Sequence, residues 1–299
     1  MLGRNPNKFF YLISYLRGVN LVIKKELKIS SKNDRVITAD ISMPKSKTPT
    51  PVLVFCHGFK GFKDWGHYNW VSQKSAESGL AFLKFNFSFN GLQADNLLEL
   101  NDMKAFAENN YSKELKDLQS VIDYIETNAD DLNIDPKCIF LAGHSRGGGI
   151  ATLASSEDKR VKGLILWASL SEFDSFFRPE TIEEWAKNGV VYAKNTRTGQ
   201  DLPLNKQFYE DYLSNKSTLD IRKAAKLISV PLLIIHGEKD ETVPLAHAEA
   251  FYTLVPHSIL IKVDGGDHTF GAKHPFDEAN DVSEMLEELV ENTVEFCLD

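Results

Sequence analysis

Cysteine is scarce in this chain of 299 residues. Only Cys56, Cys138 and Cys297 are present, and no two of them form a C-x-x-C pair. Such a sparse, odd set supports neither a disulfide framework nor a zinc site. Cys56 and Cys138 stand in or beside apolar runs, so both are predicted to be small buried side chains. The cysteine usage therefore predicts a reducing compartment, the cytoplasm, with export left open.

A long hydrophobic run is also missing. Residues 9–16 are apolar, but they are few, and Arg17 interrupts the run. A transmembrane helix needs about 20 apolar residues, and a secretory signal needs a longer apolar region followed by a small-residue cleavage site. Residues 1–20 are therefore predicted to form an extension packed on the domain, and no membrane span is expected.

The chain has no excess of basic residues. Lys and Arg number 34 against 42 Asp and Glu, which gives a formal net charge of -8. This balance argues against nucleic acid or an anionic membrane surface as the main partner. The length is sufficient to bury a substantial core without disulfides or metals. A small-molecule substrate is the expected partner, and a homodimer is left open.

Short apolar runs alternate with helical patterns through most of the chain. Residues 21–29 and 35–41 flank a polar turn and predict an antiparallel pair at a sheet edge. Apolar residues recur at helical spacing within 115–125 and 282–290. Six further runs are almost wholly apolar: 52–56, 81–87, 139–142, 164–168, 232–235 and 259–263. Such runs suit strands buried on both faces, so the order predicts an α/β fold with a mostly parallel, doubly wound sheet.

One long segment, residues 170–229, interrupts the alternation. It exceeds by far the usual connection of about 2–6 residues in α/β units, and residues 190–199 predict a hairpin within it. We predict a cap or lid over the site, or an extra packing layer, inserted in a core of 21–169 and 230–299. Four aromatic residues of the insertion are candidates for substrate contact: Phe173, Phe177, Trp185 and Phe208.

Residues 143–147 form a G-x-S-x-G motif with Ser145 at its centre. The motif alone is weak, but an apolar strand precedes it and a small-residue helix start follows. A sharp turn between strand and helix is the setting that lifts a nucleophilic serine above a sheet. The context therefore favours Ser145 as a nucleophile over a structural serine in a glycine-rich turn.

An activated serine needs a base, and the base needs an orienting carboxylate. In hydrolases with this turn, the acid and then the base follow on loops after later strands. Asp240 lies just past the run 232–235, and His268 follows the run 259–263. Ser145, Asp240 and His268 are therefore the predicted catalytic triad.

Other acidic and histidine residues lie near these loops. Asp174, after the preceding strand, is the rival for the acid role. The remaining nearby carboxylates are interpreted as solvated loop charges. His144 and His236 are interpreted as residues that make local hydrogen bonds.

Acyl transfer also needs hydrogen-bond donors directed at the developing oxyanion. The run 52–56 leads directly into a loop that contains Phe59. In this kind of hydrolase one donor comes from that loop and the other from the residue after the nucleophile. The backbone N–H groups of Phe59 and Arg146 are therefore the predicted oxyanion donors.

Four segments resemble those of α/β-hydrolase esterases, especially the bacterial cinnamoyl and feruloyl esterases: HGFKG, GHSRGG, HGEKDETVP and GGDHTF. They occur in the family's order, and the resemblance covers residues 20–298. The related dienelactone hydrolases use a cysteine where this chain has Ser145. The resemblance implies an α/β-hydrolase fold with an inserted cap, the same triad and oxyanion donors, and no cofactor or metal. It also implies hydrolysis of a small-to-medium carboxylic ester, with cinnamoyl-type aromatic esters among the candidates.

Two kinds of alternative remain. A thioesterase, an acyltransferase or a peptidase can use the same triad, because fold and triad do not fix the substrate. A catalytically silent, hydrolase-like binding protein is the alternative from another class. The presence of all five predicted catalytic elements argues against it.

Overall fold

The computed structural model describes residues 21–93 and 100–299, so the predicted extension of residues 1–20 lies outside the described part. The strands are β1 (Val22–Ser30), β2 (Val36–Pro44), β3 (Thr50–Cys56), β4 (Ala81–Phe85), β5 (Ile134–His144), β6 (Val161–Trp167), β7 (Val190–Lys194), β8 (Asp201–Asn205), β9 (Leu232–Gly237) and β10 (Ile259–Val263). Eight of them form one sheet in the order β1-β2-β4-β3-β5-β6-β9-β10.

This sheet is parallel except at one edge. β1 pairs antiparallel with β2, as predicted, and β2 pairs antiparallel with β4. From β4 to β10, every pair of neighbours is parallel. The predicted α/β fold with a mostly parallel sheet is confirmed.

Helices cover both faces of the sheet. They are α1 (Tyr68–Glu77), α2 (Met103–Ala107), α3 (Tyr111–Thr127), α4 (Ala129–Leu132), α5 (Arg146–Glu157), α6 (Pro179–Asn188), α7 (Gln207–Ser214), α8 (Ile221–Ala225), α9 (Ala246–Leu254) and α10 (Glu284–Leu298). In β3, Val52 and Val54 enter the core under α3 and α5, whereas Leu53 and Phe55 enter the core under α1 and α10. Burial on both faces explains why these strands are continuous apolar runs.

Several strand boundaries differ from the sequence prediction, among them those of β5 and β4. β5 begins at Ile134, well before the predicted start at residue 139, and its register against β3 shifts between Thr50 and Val52. The early half of β5 is largely exposed or half-buried, so it carries no apolar signal. β4 ends at Phe85, before the predicted end at residue 87.

The insertion, residues 170–229, holds a short 3₁₀ turn (Asp174–Phe176), α6, the antiparallel hairpin β7–β8, α7 and α8. The predicted hairpin is confirmed. The indole N–H of Trp185 in α6 donates to the carbonyl of Leu204 in β8 at 2.7 Å. Phe173 stacks on Tyr111 of α3, with ring centroids 3.7 Å apart. The insertion therefore packs directly on a helix of the core.

The three cysteines are free. Cys56 is buried, as predicted, but the prediction for Cys138 is wrong, because this residue lies in the half-exposed start of β5. Throughout residues 21–93 and 100–299, no helix is both long and apolar enough to cross a bilayer.

Four charged side chains form a closed ring between the antiparallel edge of the sheet and the loop after β3. Lys84 of β4 contacts Asp40 of β2 at 2.7 Å and Asp64 of the loop at 2.5 Å. Lys63 contacts the same two carboxylates. Burial opposes ionisation of Asp64, but Lys84 and Lys63 hold the pKa of its carboxyl below the usual value. The ring fixes the loop to the sheet.

We expect Lys84→Met to lower the free energy of unfolding by about 3–5 kcal/mol, because it leaves two partly buried carboxylates facing a single lysine. Urea unfolding followed by circular dichroism measures the change. Lys74→Met is the matched control, since Lys74 is half-exposed in its pair with Glu77 and should change stability by less than about 1 kcal/mol. Equal effects of the two substitutions would contradict a structural role for the ring.

Candidate functional site

Ser145 lies in a sharp turn between β5 and α5. Its backbone has φ +55° and ψ −121°, a conformation that residues other than glycine rarely adopt. Its N–H donates to the carbonyl of Trp167 at 3.0 Å, and its carbonyl accepts from the N–H of Gly148 at 3.1 Å. A Cβ on Gly147 would lie 2.3 Å from the carbonyl oxygen of Cys56, so only glycine fits there. The predicted strand, turn and helix around Ser145 are confirmed.

Asp240 and His268 meet across the loops that follow β9 and β10. His268 Nδ1 lies 2.8 Å from Asp240 Oδ2, and the other carboxylate oxygen accepts from the N–H groups of Thr242 and Val243 at 2.9 and 2.8 Å. Burial opposes ionisation, but the hydrogen bonds from His236 and His268 outweigh it and hold the pKa of Asp240 well below its usual range. An ionised Asp240 holds the His268 proton on Nδ1 and leaves Nε2 as the basic nitrogen.

Two neighbouring histidines make hydrogen bonds to these loops, as predicted. His144 Nε2 donates to the carbonyl of His268 at 2.8 Å, and the two ring centroids are 4.7 Å apart. His236 Nε2 donates to the carbonyl of Val243 at 2.8 Å. Because His144 directly precedes Ser145, its contact brings the His268 loop against the turn of Ser145.

The loop after β3 lies against the same turn. A Cβ on Gly58 would lie 3.0 Å from Ser145 Cβ, so glycine permits the close approach of the two backbones. His57 Nδ1 donates to the carbonyl of Gly58 at 2.9 Å, and its Nε2 accepts from the N–H of Phe87 at 3.4 Å. Burial lowers the pKa of His57 to about 4, which keeps the ring neutral. The loop that carries Phe59 is therefore fixed beside Ser145.

The rival acid lies elsewhere. Asp174 is exposed in the insertion and pairs with Lys216 at 2.9 Å. Its exposure and its lysine partner fit a surface charge. The structure thus pairs His268 with Asp240 rather than with Asp174.

The four aromatic residues predicted to contact substrate divide into two groups. Phe173, Trp185 and Phe208 are fully buried, and they pack the insertion together and onto α3. Phe177 is half-buried and stacks on Tyr212, with ring centroids 4.5 Å apart. Their contact with a substrate stays a prediction.

A buried ion pair next to Ser145 has no counterpart in the sequence predictions. Arg146 Nη2 donates to Glu114 Oε1 at 2.6 Å, with the side chains 7% and 2% exposed. Asn109 Nδ2 donates to the same oxygen at 2.7 Å. Burial raises the pKa of the Glu114 carboxyl, and the charge of Arg146 opposes that shift.

The signal for this pair is the helical spacing of α3. Glu114 falls in line with Leu118 and Val121, which are buried, so it occupies the apolar face of an amphipathic helix. A charged residue on that face predicts a buried partner. Its identity as Arg146 depends on the tertiary fold.

The family model described as BD-FAE matches residues 39–255 of the chain. The matched region includes Phe59, Ser145 and Asp240, whereas His268 lies beyond it. Among curated proteins, the uncharacterised peptidase YuxL of Bacillus subtilis (strain 168) is 29% identical over 142 residues, which are 47% of this chain and 19% of YuxL. The uncharacterised protein YfhR of Escherichia coli O157:H7 is 27% identical over 165 residues, 54% of this chain and 48% of YfhR. The match thus covers less than half the length of these relatives.

Solved structures match over almost the whole chain. Est1E from Butyrivibrio proteoclasticus, solved with ferulic acid bound, has a TM-score of 0.69 at 24% identity and covers 91% of this chain and 98% of its own. The esterase domain of a Rhodothermus marinus protein has a TM-score of 0.61 at 16% identity, covering 92% and 97%. These likenesses confirm the predicted α/β-hydrolase fold.

We expect the stability of the native protein to fall as the pH is lowered from about 6.5 towards 4. The folded state lowers the pKa of His57 to about 4, below the unfolded value of about 6.5. Between these two pKa values, His57 is protonated in the unfolded chain but not in the native protein. Its contribution to the free energy of unfolding is therefore complete above pH 6.5 and is lost on acidification.

Urea unfolding between pH 4 and 7.5 tests this expectation. His57→Gln should reduce the slope by up to about 1.4 kcal/mol per pH unit, the value for one proton. His257→Gln, at an exposed position, is the matched control and should leave the slope unchanged. An unchanged slope in His57→Gln would contradict the neutral state of His57.

Proposed function

Because the chain belongs to the BD-FAE family, we propose that this α/β hydrolase is a serine esterase that cleaves carboxylic esters. The observation that carries the proposal is the 2.8 Å contact between His268 Nδ1 and Asp240 Oδ2, in loops that meet the turn of Ser145. A positioned acid, base and serine are the elements that acyl transfer requires.

In the proposed mechanism, Ser145 Oγ attacks the ester carbonyl carbon while His268 Nε2 accepts the hydroxyl proton. The carbonyl oxygen becomes an oxyanion that accepts hydrogen bonds from the backbone N–H groups of Phe59 and Arg146. His268 then donates the proton to the leaving alkoxide, which leaves an acyl-enzyme on Ser145. Water attacks this ester with His268 again as the base, which releases the acid and restores the serine.

We assign the insertion, residues 170–229, the role of a cap over this site. Lys60 follows the proposed oxyanion donor Phe59, and its ammonium donates to the carbonyl of Lys194 in β7 at 3.0 Å. This contact joins the oxyanion loop to the hairpin of the insertion. A covered site excludes water and strengthens the electrostatic interactions within it.

The proposed substrate carries an aromatic, cinnamoyl-type acyl group. Three aromatic rings support this choice: the half-buried ring of Phe59 lies 5.7 Å from Phe106 and 5.7 Å from Phe176, centroid to centroid. Such an apolar wall beside a few convergent polar groups is typical of small-molecule sites. The bound ferulic acid of Est1E is consistent with the same class of ligand.

A peptidase is the second candidate, on the ground that the relative YuxL is named as one. The amine expelled from an amide is a poorer leaving group than the alkoxide expelled from an ester, and it needs the same protonation by His268.

We also assign the protein to the cytoplasm, since its three cysteines are free.

We expect a fluorophosphonate probe to label the native protein on Ser145. Ser145→Ala should lose the label and lower kcat for p-nitrophenyl acetate by roughly 10⁴-fold or more, because no other hydroxyl occupies the strained turn. Ser155→Ala, a buried serine of α5, is the matched control and should keep both label and activity. Folded native protein that takes no label would refute the serine-hydrolase proposal.

We expect methyl ferulate to be hydrolysed with a higher kcat/KM than its aliphatic counterpart, methyl butyrate. The reason is that the ferulate ring contacts the aromatic side chains of Phe59, Phe106 and Phe176. Phe176→Ala should lower kcat/KM for methyl ferulate about tenfold, as expected for lost apolar contacts, and should leave p-nitrophenyl acetate nearly unchanged. Tyr192→Ala, at an exposed position of the hairpin, is the control. Equal kcat/KM values for methyl ferulate and methyl butyrate would refute the proposed aromatic acyl group. Faster cleavage of p-nitroacetanilide than of p-nitrophenyl acetate would favour the peptidase.

A further inference from the structure

The buried pair of Glu114 and Arg146 is placed to act on the oxyanion hole. We propose that Glu114 is a positioning residue. Through the guanidinium of Arg146, it holds the two oxyanion donors at the relative positions that the oxyanion requires. The proposal rests on the proposed function, because it takes the backbone N–H groups of Phe59 and Arg146 as those donors.

The Arg146 side chain links the two donor residues. Its guanidinium carbon lies 4.4 Å from the ring centroid of Phe59, within the range of a cation–π contact. Its Nη2 is fixed by Glu114 Oε1 at 2.6 Å. The side chain of one donor residue therefore lies on the ring of the other, and the carboxylate from α3 sets where it lies.

Stability does not explain a charged pair at this place. Among the described residues, Glu114 Oε2, Arg146 Nη1 and Asn109 Oδ1 are buried without a hydrogen-bond partner. A buried pair with unsatisfied polar atoms is often no more stable than an apolar pair of the same volume. The Arg146 guanidinium contacts the loop of Phe59. A displacement of a catalytic group there by about 1 Å can reduce the reaction rate about a hundredfold.

The surroundings favour orientation over direct contact with the reacting atoms. Tyr111 and Phe208 also flank the guanidinium, whose carbon lies 5.7 and 5.9 Å from their ring centroids. The aromatic rings and the carboxylate restrict Arg146 to one orientation. A flat, forked guanidinium can stack on a ring and bind a carboxylate at the same time, which a lysine cannot do.

The test replaces the pair by apolar residues of similar length, in the full chain, as Glu114→Met with Arg146→Met. We expect the melting temperature to stay within about 5 °C of the native value or to rise. We expect kcat for p-nitrophenyl acetate to fall about tenfold or more, as for a misaligned oxyanion donor, with KM within about twofold. Affinity for phenylboronic acid, which binds as a tetrahedral anion, should fall with kcat.

Two further readouts separate positioning from a general loss of structure. The acid limb of the pH profile of kcat/KM should not move, because Asp240 and His268 remain paired. Glu114→Gln keeps the hydrogen bond to Arg146, so it should retain more of kcat than the double variant.

Arg35→Met is the matched control. Arg35 also pairs with a carboxylate, Asp102 at 2.9 Å, and lies 4.9 Å from the ring centroid of Phe89, outside the site. We expect its kcat to be unchanged.

Some outcomes would overturn the proposal. A double variant with kcat within twofold of native would show that the pair has no role in the oxyanion hole. A large drop in melting temperature together with an unchanged kcat per folded, probe-labelled molecule would assign the pair to stability alone. Activity that survives Ser145→Ala would instead refute the proposed function, so the two failures are distinguishable.

Discussion

The backbone of Ser145 is the constraint on which the site depends. Its positive φ is held by hydrogen bonds to Trp167 at the end of β6, to Gly148 in α5 and to Leu170 in the following loop. These partners belong to the rigid sheet and to the segments that leave it, so the strain is distributed over elements that pack well elsewhere. The residues packed around the turn leave no space for the backbone of Ser145 to adopt a negative φ. Its side chain therefore stays above the sheet.

Buried histidines are the second organising feature. Three of them donate one ring proton each to a backbone carbonyl of the loops around Ser145: His57, His144 and His236. These hydrogen bonds fix the backbone of the loops. Burial lowers the pKa of His57 and His144, which keeps these two rings uncharged at neutral pH. His268 differs, because its side chain is 18% exposed and its partner carboxylate is fully buried. Position and solvent access therefore distinguish His268, the proposed base, from the supporting rings.

Much of this architecture can be predicted from local pattern. Ser145, Asp240 and His268 each follow a buried strand, and parallel strands bring their carboxyl ends to one edge of a sheet, so spacing alone predicts their convergence. The pairing of Glu114 with Arg146 could not be predicted, because it joins two helices whose relative position the tertiary packing sets. The early start of β5 could not be predicted, because its first residues are largely exposed or half-buried and form no apolar run.

The ring of four charges has a consequence for engineering. Lys63 and Asp64 belong to the same loop as Phe59, and they are anchored on Asp40 of β2 and Lys84 of β4. The antiparallel edge of the sheet carries none of the proposed catalytic residues, yet it anchors the loop of Phe59 at Lys63 and Asp64. A chimera that exchanges this edge with that of another hydrolase must therefore carry over all four charged residues together. Otherwise the loop that carries Phe59 would be displaced relative to Ser145.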